Sequence, residues 1–176
     1  MNGSVWVVQA LPAPSTRSVT QSLPTGSTDR YVVRAADGAG NSSGWAYGPF
    51  IRPLVTQQTS TAVTYRGTWT TVWSRSYSGG SMRYATAAGA SASYTFTGSS
   101  VAWVGALGPT RGSAKVYVDG VYRTTVSLYA ATGASRRIVY AVSWGSQGTH
   151  KIRIVVVGTP RHPRVDVDAF ARLVRP

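Results

Sequence analysis

Apolar and polar positions alternate along this chain in short runs: 5–10, 18–23, 30–36, 45–51, 61–65, 82–87, 90–97, 100–105, 113–118, 121–127, 137–144, 149–157 and 164–174. Gly, Pro, Asn and Asp bound them at intervals of about eight to twelve residues, the spacing of a β-sandwich. No run has the 3.6-residue period of an amphipathic helix. The sharpest turn signal is Val118-Asp119-Gly120-Val121. There, two residues tolerant of positive φ sit between alternating segments, which predicts a two-residue hairpin. Pro53 and the polar stretch Thr56–Thr61 separate two blocks, so a boundary is expected near residue 54. No internal repeat is evident. The fold class expected is all-β.

Composition agrees with the pattern. Ser, Thr and Gly are plentiful, and 19 aromatic residues (six Trp, ten Tyr, three Phe) supply one sizeable core in 176 residues. With no Cys, no Glu, five Asp and two His, the chain has no disulfide framework, no thiolate metal site and no cysteine nucleophile. The net charge of +13 is uneven. Residues 1–53 hold four Arg and two Asp (+2), and residues 54–176 hold fourteen Lys or Arg and three Asp (+11). Such a surface attracts anionic polymers without naming one. The arginines are dispersed and form no nucleic-acid motif, so nucleic acid ranks last among partners. No apolar run approaches the ~20 residues of a membrane span. Residues 1–6 lack the make-up of a signal peptide, so any export signal is expected outside this chain.

Two resemblances sharpen the picture. Leu23-Pro24-Thr25-Gly26, followed by Tyr31 to Ser42 and Trp45, resembles the second half of a fibronectin type III domain. That resemblance implies core roles for Leu23, Tyr31, Val33 and Ala35, with Tyr31 at a tyrosine corner and a turn at Asp37–Ser42. Residues 1–53 cover only about half of such a domain. The missing early strands imply an open face that a second copy, another chain or the rest of this one must complete. In the second block, Gly67-Thr68-Trp69, Tyr77 to Ser81, Ala88 to Gly98, Val101 to Gly105, Gly108 to Gly112, Val116 to Gly120, Gly148-Thr149-His150 and Val165 to Phe170 occur in order. This series resembles a bacterial galactose-binding-like jelly roll, a class rich in carbohydrate-binding modules of secreted proteins. The expected organisation is therefore a truncated fibronectin-like segment over 1–53 and a jelly-roll domain over 54–176.

Catalytic constellations are sparse. No G-x-S-x-G elbow accompanies His150 or His162, so no serine triad is predicted. Asp166 and Asp168 lie two apart on one strand face, ~6.6 Å apart, within the range of a glycosidase pair. Their strand, however, reads as half-buried, with Val165, Val167, Ala169, Ala171 and Leu173 inward and the aspartates outward, paired with arginines. The jelly-roll resemblance puts Asp168 where a last-strand Asp joins a structural calcium site. The Glu ligands that usually accompany it are absent from this sequence, so no metal or other cofactor is assigned, and structural calcium at Asp168 stays the lesser reading.

Sugar rings present flat C–H faces, so their sites need exposed aromatic platforms beside polar groups. Trp73, Tyr77, Tyr129 and Trp144 sit at strand ends or in Gly/Ser-rich loops and are the candidate platforms; Arg111, between two glycines, is the candidate polar partner. Phe96 and Trp103 lie inside apolar stretches and are expected in the core, with Tyr94 and Tyr117 half-buried. The function expected is an extracellular or cell-surface module, not an enzyme, that attaches its parent to a glycan or cell-wall polymer. The alternative is a structural subunit of a surface assembly, its half sandwich completed by neighbouring chains. The third is non-specific binding of anionic polymers or nucleic acid through the basic surface.

Overall fold

The computed structural model describes residues 6–13, 15, 16 and 18–176. Eleven strands form: β1 (Asp29–Val33), β2 (Ala46–Gln57), β3 (Val63–Arg66), β4 (Thr70–Trp73), β5 (Ser81–Ala85), β6 (Ser91–Leu107), β7 (Ser113–Val118), β8 (Val121–Ser127), β9 (Ala134–Val156), β10 (Val165–Val167) and β11 (Ala169–Val174). A single 3-10 turn, Ser78–Gly80, precedes β5. The main sheet runs β1-β2-β11-β6-β9-β7-β8, with β3 also on β6, and a three-stranded sheet runs β10-β5-β4. This is an all-β, jelly-roll-like sandwich. No helix among the described residues is long and apolar enough to cross a membrane.

The β6–β9 pair is its spine. Between the pairs Gly98↔Gly148 and Ser100↔Ser143, one residue of β6, Ser99, stands opposite Trp144 to Gln147 of β9. That bulge reverses which positions face inward, as an inserted residue must when side chains alternate. Ala92, Tyr94 and Phe96 are buried before it, and Val101 and Trp103 after it. The first half of β6 pairs β3 and the second half pairs β11. Around this spine Tyr94 stacks on Phe96 (5.2 Å) and on Phe170 (4.9 Å), over Val116, Val118, Ile152 and Ile154. Side chains of this size, taken fully out of water, contribute about 1.5–3 kcal/mol each.

The Asp119-Gly120 hairpin forms as its sequence dictates, with Val118 paired to Val121 and φ of 53° and 82° at the two turn residues. Other expectations are corrected. Residues 18–23 carry no strand, and β4 is a strand that the pattern misses. The predicted 164–174 strand breaks at Asp168: β10 pairs β5 in the small sheet, whereas β11 pairs β2 and β6 in the main one. Because the chain changes sheets there, Asp166 and Asp168 are both fully buried rather than outward. Tyr94, expected half-buried, is also fully enclosed.

Of residues 18–53, the structure shows one antiparallel hairpin, β1–β2, and the turn at Asp37–Ser42. In that turn the Asp37 carboxylate accepts the Ala39 and Asn41 backbone N–H groups and the Asn41 amide. Tyr31, Val33 and Ala35 are exposed and Leu23 is half-buried, so the core roles implied for them are not met inside this chain. Among the described residues these two strands have no opposing sheet to cover them. β2 runs without a break through residue 54, its second half pairing β11.

Candidate functional site

The break between β10 and β11 organises one end of the sandwich. Asp166 receives Arg111 Nε on Oδ2 (2.8 Å) and Arg164 Nε on Oδ1 (2.6 Å). Two guanidinium groups thus meet both oxygens, the pairing that a buried carboxylate requires. Arg164 also lies over the Tyr84 ring at 4.0 Å. This clamp ties together the loops at 108–112 and 159–164, which meet in the parallel bridge Arg111↔Arg164. Their approach is close enough that a Cβ on Gly112 would fall 1.8 Å from the His162 carbonyl oxygen. Next to them, Tyr129 bridges Gly108 and meets the His162 ring edge-on at 5.1 Å, while His162 Nδ1 lies 2.5 Å from the Pro109 carbonyl oxygen.

Asp168 does the same for the neighbouring loop. Its carboxylate accepts the Ser78 N–H at 2.9 and 3.1 Å, fixing the segment between β4 and β5. From β9, Arg136 Nη2 donates to the Arg75 and Tyr77 carbonyl oxygens at 2.8 and 2.9 Å. Burial pushes the Asp168 pKa up and the Asp166 charge adds to that, against the opposing Ser78 hydrogen bond and Arg136 charge. The Gln57 and Gln58 side-chain oxygens are buried without partners, although their amide nitrogens donate to Ser78 and Ser81 hydroxyls. Among the described residues no group of three or more His, Cys, Asp or Glu converges. The donors here, one carboxylate and two orphaned amide oxygens, are nevertheless all hard oxygens of the kind calcium takes.

Four of the five candidate residues lie on or beside the segments that these contacts tie together. Tyr129 is half exposed, Tyr77 is half-buried with its backbone held by Arg136, and Arg111 keeps only 18% of its side chain exposed because its guanidinium is committed to Asp166 and Thr110. Trp73 ends β4 at the start of the Ser78 loop and is 76% exposed. Trp144 is elsewhere, in the β9 bulge, stacked on His150 at 3.7 Å with an interplanar angle of 8°. His150 in turn pairs with Asp119 at 2.8 Å, so this histidine is half-buried rather than a free surface group. The sequence pattern did not single out Arg136 or Arg164, and it considered His162 only as a base for a serine triad that it did not predict. Arg136 lies near the start of β9 with φ of +54°, and isolated basic residues in a strand or turn carry no signal of what they bind.

No protein-family model matches the chain. Two curated proteins of Flavonifractor plautii are similar to it. An A type blood N-acetyl-alpha-D-galactosamine deacetylase is 33% identical over 131 residues, covering 72% of this chain and 16% of that protein. An A type blood alpha-D-galactosamine galactosaminidase is 34% identical over 110 residues, covering 62% of this chain and 10% of that protein. The chain thus spans a small part of each. Among solved structures, a family two carbohydrate esterase from Cellvibrio japonicus superposes with a TM-score of 0.53 at 14% identity, over 70% of this chain and 34% of the esterase. The expectation that this chain stands apart from enzymes is thereby corrected, since both curated relatives are named for an enzymatic activity.

Proposed function

We propose that this chain is the glycan-engaging jelly-roll unit of an exported carbohydrate-active enzyme, and that it takes α-linked galactosamine-type sugars at the loop end above Asp166 and Asp168. The observation that carries the reading is the exposure of Trp73, at the end of β4, and of Tyr129, bridged to Gly108, beside the loops that the two buried aspartates tie down. A sugar-binding site gains from that arrangement because an aromatic face already fixed in position loses little entropy when a ring stacks on it. Arg111 and Tyr77 act beneath these platforms, Arg111 as the clamp on Asp166 and Tyr77 as a half-buried wall. The sugar class follows the relatives, whose names both specify galactosamine of A type blood.

The test is adsorption of the purified chain to immobilised glycans ending in N-acetylgalactosamine, galactosamine, galactose or glucose. Binding is expected for the first two. Trp73→Ala or Tyr129→Ala should weaken it by about 1–2 kcal/mol while the circular dichroism is unchanged. Equal retention on all four surfaces, or full binding by both variants, would refute the loop-end site.

A second reading, a structural subunit completed by neighbouring chains, is favoured by the β1–β2 hairpin. Tyr31, Val33, Trp45, Tyr47 and Phe50 are all exposed on it.

A further inference from the structure

The outward face of the β3, β6, β9, β7 and β8 segments lies away from the loop end and carries a different chemistry. Its inward positions, among them Ala114, Val116, Val118, Ile152 and Ile154, are fully buried; the intervening residues form the outward face, where Ser91 and Ser93 are covered but Arg66, Lys115, Lys151 and Arg153 are exposed. Strand register sorts these into rows. One row reads Tyr122, Tyr117, Arg153, Ser93 and Thr64 across five strands. On one side lies a row containing Lys115 and Arg66, and on the other the pair Lys151 and Thr95. Each of three successive rows, ~6.6–7 Å apart, therefore carries a cation.

Tyr117, Gly120, Lys151 and Arg153 surround a shallow depression of about 270 Å³. The Arg153 guanidinium lies 4.6 Å over the Tyr117 ring, which Tyr122 meets edge-on at 5.7 Å. Stacking on a ring restrains the guanidinium plane and leaves its edge N–H groups for a planar anion. Opposing charge is confined to Asp119 at the far edge, and that carboxylate is already taken by His150 and the Lys151 backbone N–H. Of the other four aspartates, Asp166 and Asp168 are buried, and Asp29 and Asp37 belong to the β1–β2 arm.

The geometry points to a second binding site on this face, for a glycan chain bearing carboxylate or sulfate groups. Arg153 pairs with one anionic group in bidentate fashion, Lys151 supplies a point charge to the same or the next group, and Lys115 and Arg66 extend the track. Single-stranded nucleic acid fits less well. It needs open aromatic platforms for its bases, and the ring at the centre of this face is already covered by Arg153. The site is independent of the loop end, so loss of galactosamine binding there leaves it intact.

The experiment is calorimetric titration of the full chain with a heparin hexasaccharide, an oligogalacturonate of equal length and a poly-dT oligonucleotide of matched charge. The paired variant Lys151→Gln/Arg153→Gln is set against a control, Arg137→Gln/Arg175→Gln, that removes the same charge from exposed positions elsewhere. Binding of either acidic glycan is expected, with at least a tenfold loss in the face variant and under threefold in the control. The heparin and oligogalacturonate arms then tell sulfate from carboxylate recognition. Equal losses in the two variants would reduce the effect to bulk charge and overturn the site. So would tighter binding of the oligonucleotide than of both glycans, or no binding of either glycan.

Discussion

At the scale of single residues, the two buried aspartates differ in how their charge is met. Asp166 holds two guanidinium partners, so removing one leaves a carboxylate in the core with half its compensation. Arg111→Ala should cost about 2–4 kcal/mol in urea unfolding, below the ~3–5 expected for a fully buried pair because Arg164 remains and Arg111 is partly exposed. Unchanged stability would mean that Arg164 alone suffices. Among the described residues Asp168 has no ion pair, and burial, with the Asp166 charge, raises its pKa despite the Ser78 N–H and Arg136. A raised folded-state pKa means that the folded form prefers the proton. The stability from this group is full below the ordinary value of ~3.9 and is lost as pH rises through the raised one. In chelator, Asp168→Asn should therefore melt at or above the parent at pH 7 and should lack that decline. Asp119 behaves in the opposite sense. Although burial raises its pKa, the Lys151 N–H and His150 outweigh that and lower it, so its contribution is lost on acidification. None of this was readable from the Asp166–Asp168 spacing, which predicts a shared outward face. The change of sheet at Asp168 depends on which strands pair, and spacing along one strand carries no information about that.

At the scale of elements, most of the strand inventory was legible because period-2 alternation reports burial on one side. β7 and β8 occupy the predicted spans, 113–118 and 121–127. The runs at 90–97 and 100–105 are one strand, as are those at 137–144 and 149–157, since the Gly and Ser residues read as a turn form a bulge inside a continuous pair. β4 escaped because Thr70-Thr71-Val72-Trp73 is only four residues long and does not alternate, two polar residues preceding two apolar ones. Loop packing was illegible altogether, and it is here that the site is most easily broken. Gly112→Ala would drive a Cβ into the His162 carbonyl, with Thr159 also within 2.9 Å. Neither neighbour is a flexible side-chain end, so the 108–112 and 159–164 loops must part. The expected result is a loss of about 1–3 kcal/mol together with weaker retention on the galactosamine surface. Gly120→Ala, at the far end of the sheet with φ of 82° and open space around it, should lose about 1 kcal/mol and leave that retention unchanged. Equal retention by both variants would separate the loops from the sugar.

At the scale of the whole molecule, β2 joins two regions of different character. Its second half, Arg52–Gln57, pairs β11 over the core, whereas its first half pairs only β1, whose other edge is open among the described strands. A cut at residue 45 should therefore leave the sandwich folded, with a melting temperature within a few degrees of the parent. A cut at residue 57 removes the neighbour of β11 and should unfold it. The hairpin itself presents Tyr31, Val33, Trp45, Tyr47 and Phe50 to solvent, partly shielded where Arg30 lies over Tyr47 and Phe50 and Arg34 over Trp45. Cation–π contacts at exposed sites contribute ~0.5–1 kcal/mol each, less than the burial of one such side chain. An open strand edge beside an aromatic face is better satisfied by another strand than by water. Sedimentation at micromolar concentration should accordingly show the intact chain self-associating and a chain cut at residue 51, which loses the whole hairpin arm but keeps the β2 segment on β11, monomeric. A monomeric intact chain with the hairpin amides slow to exchange would show instead that β1 and β2 are stable with that face uncovered.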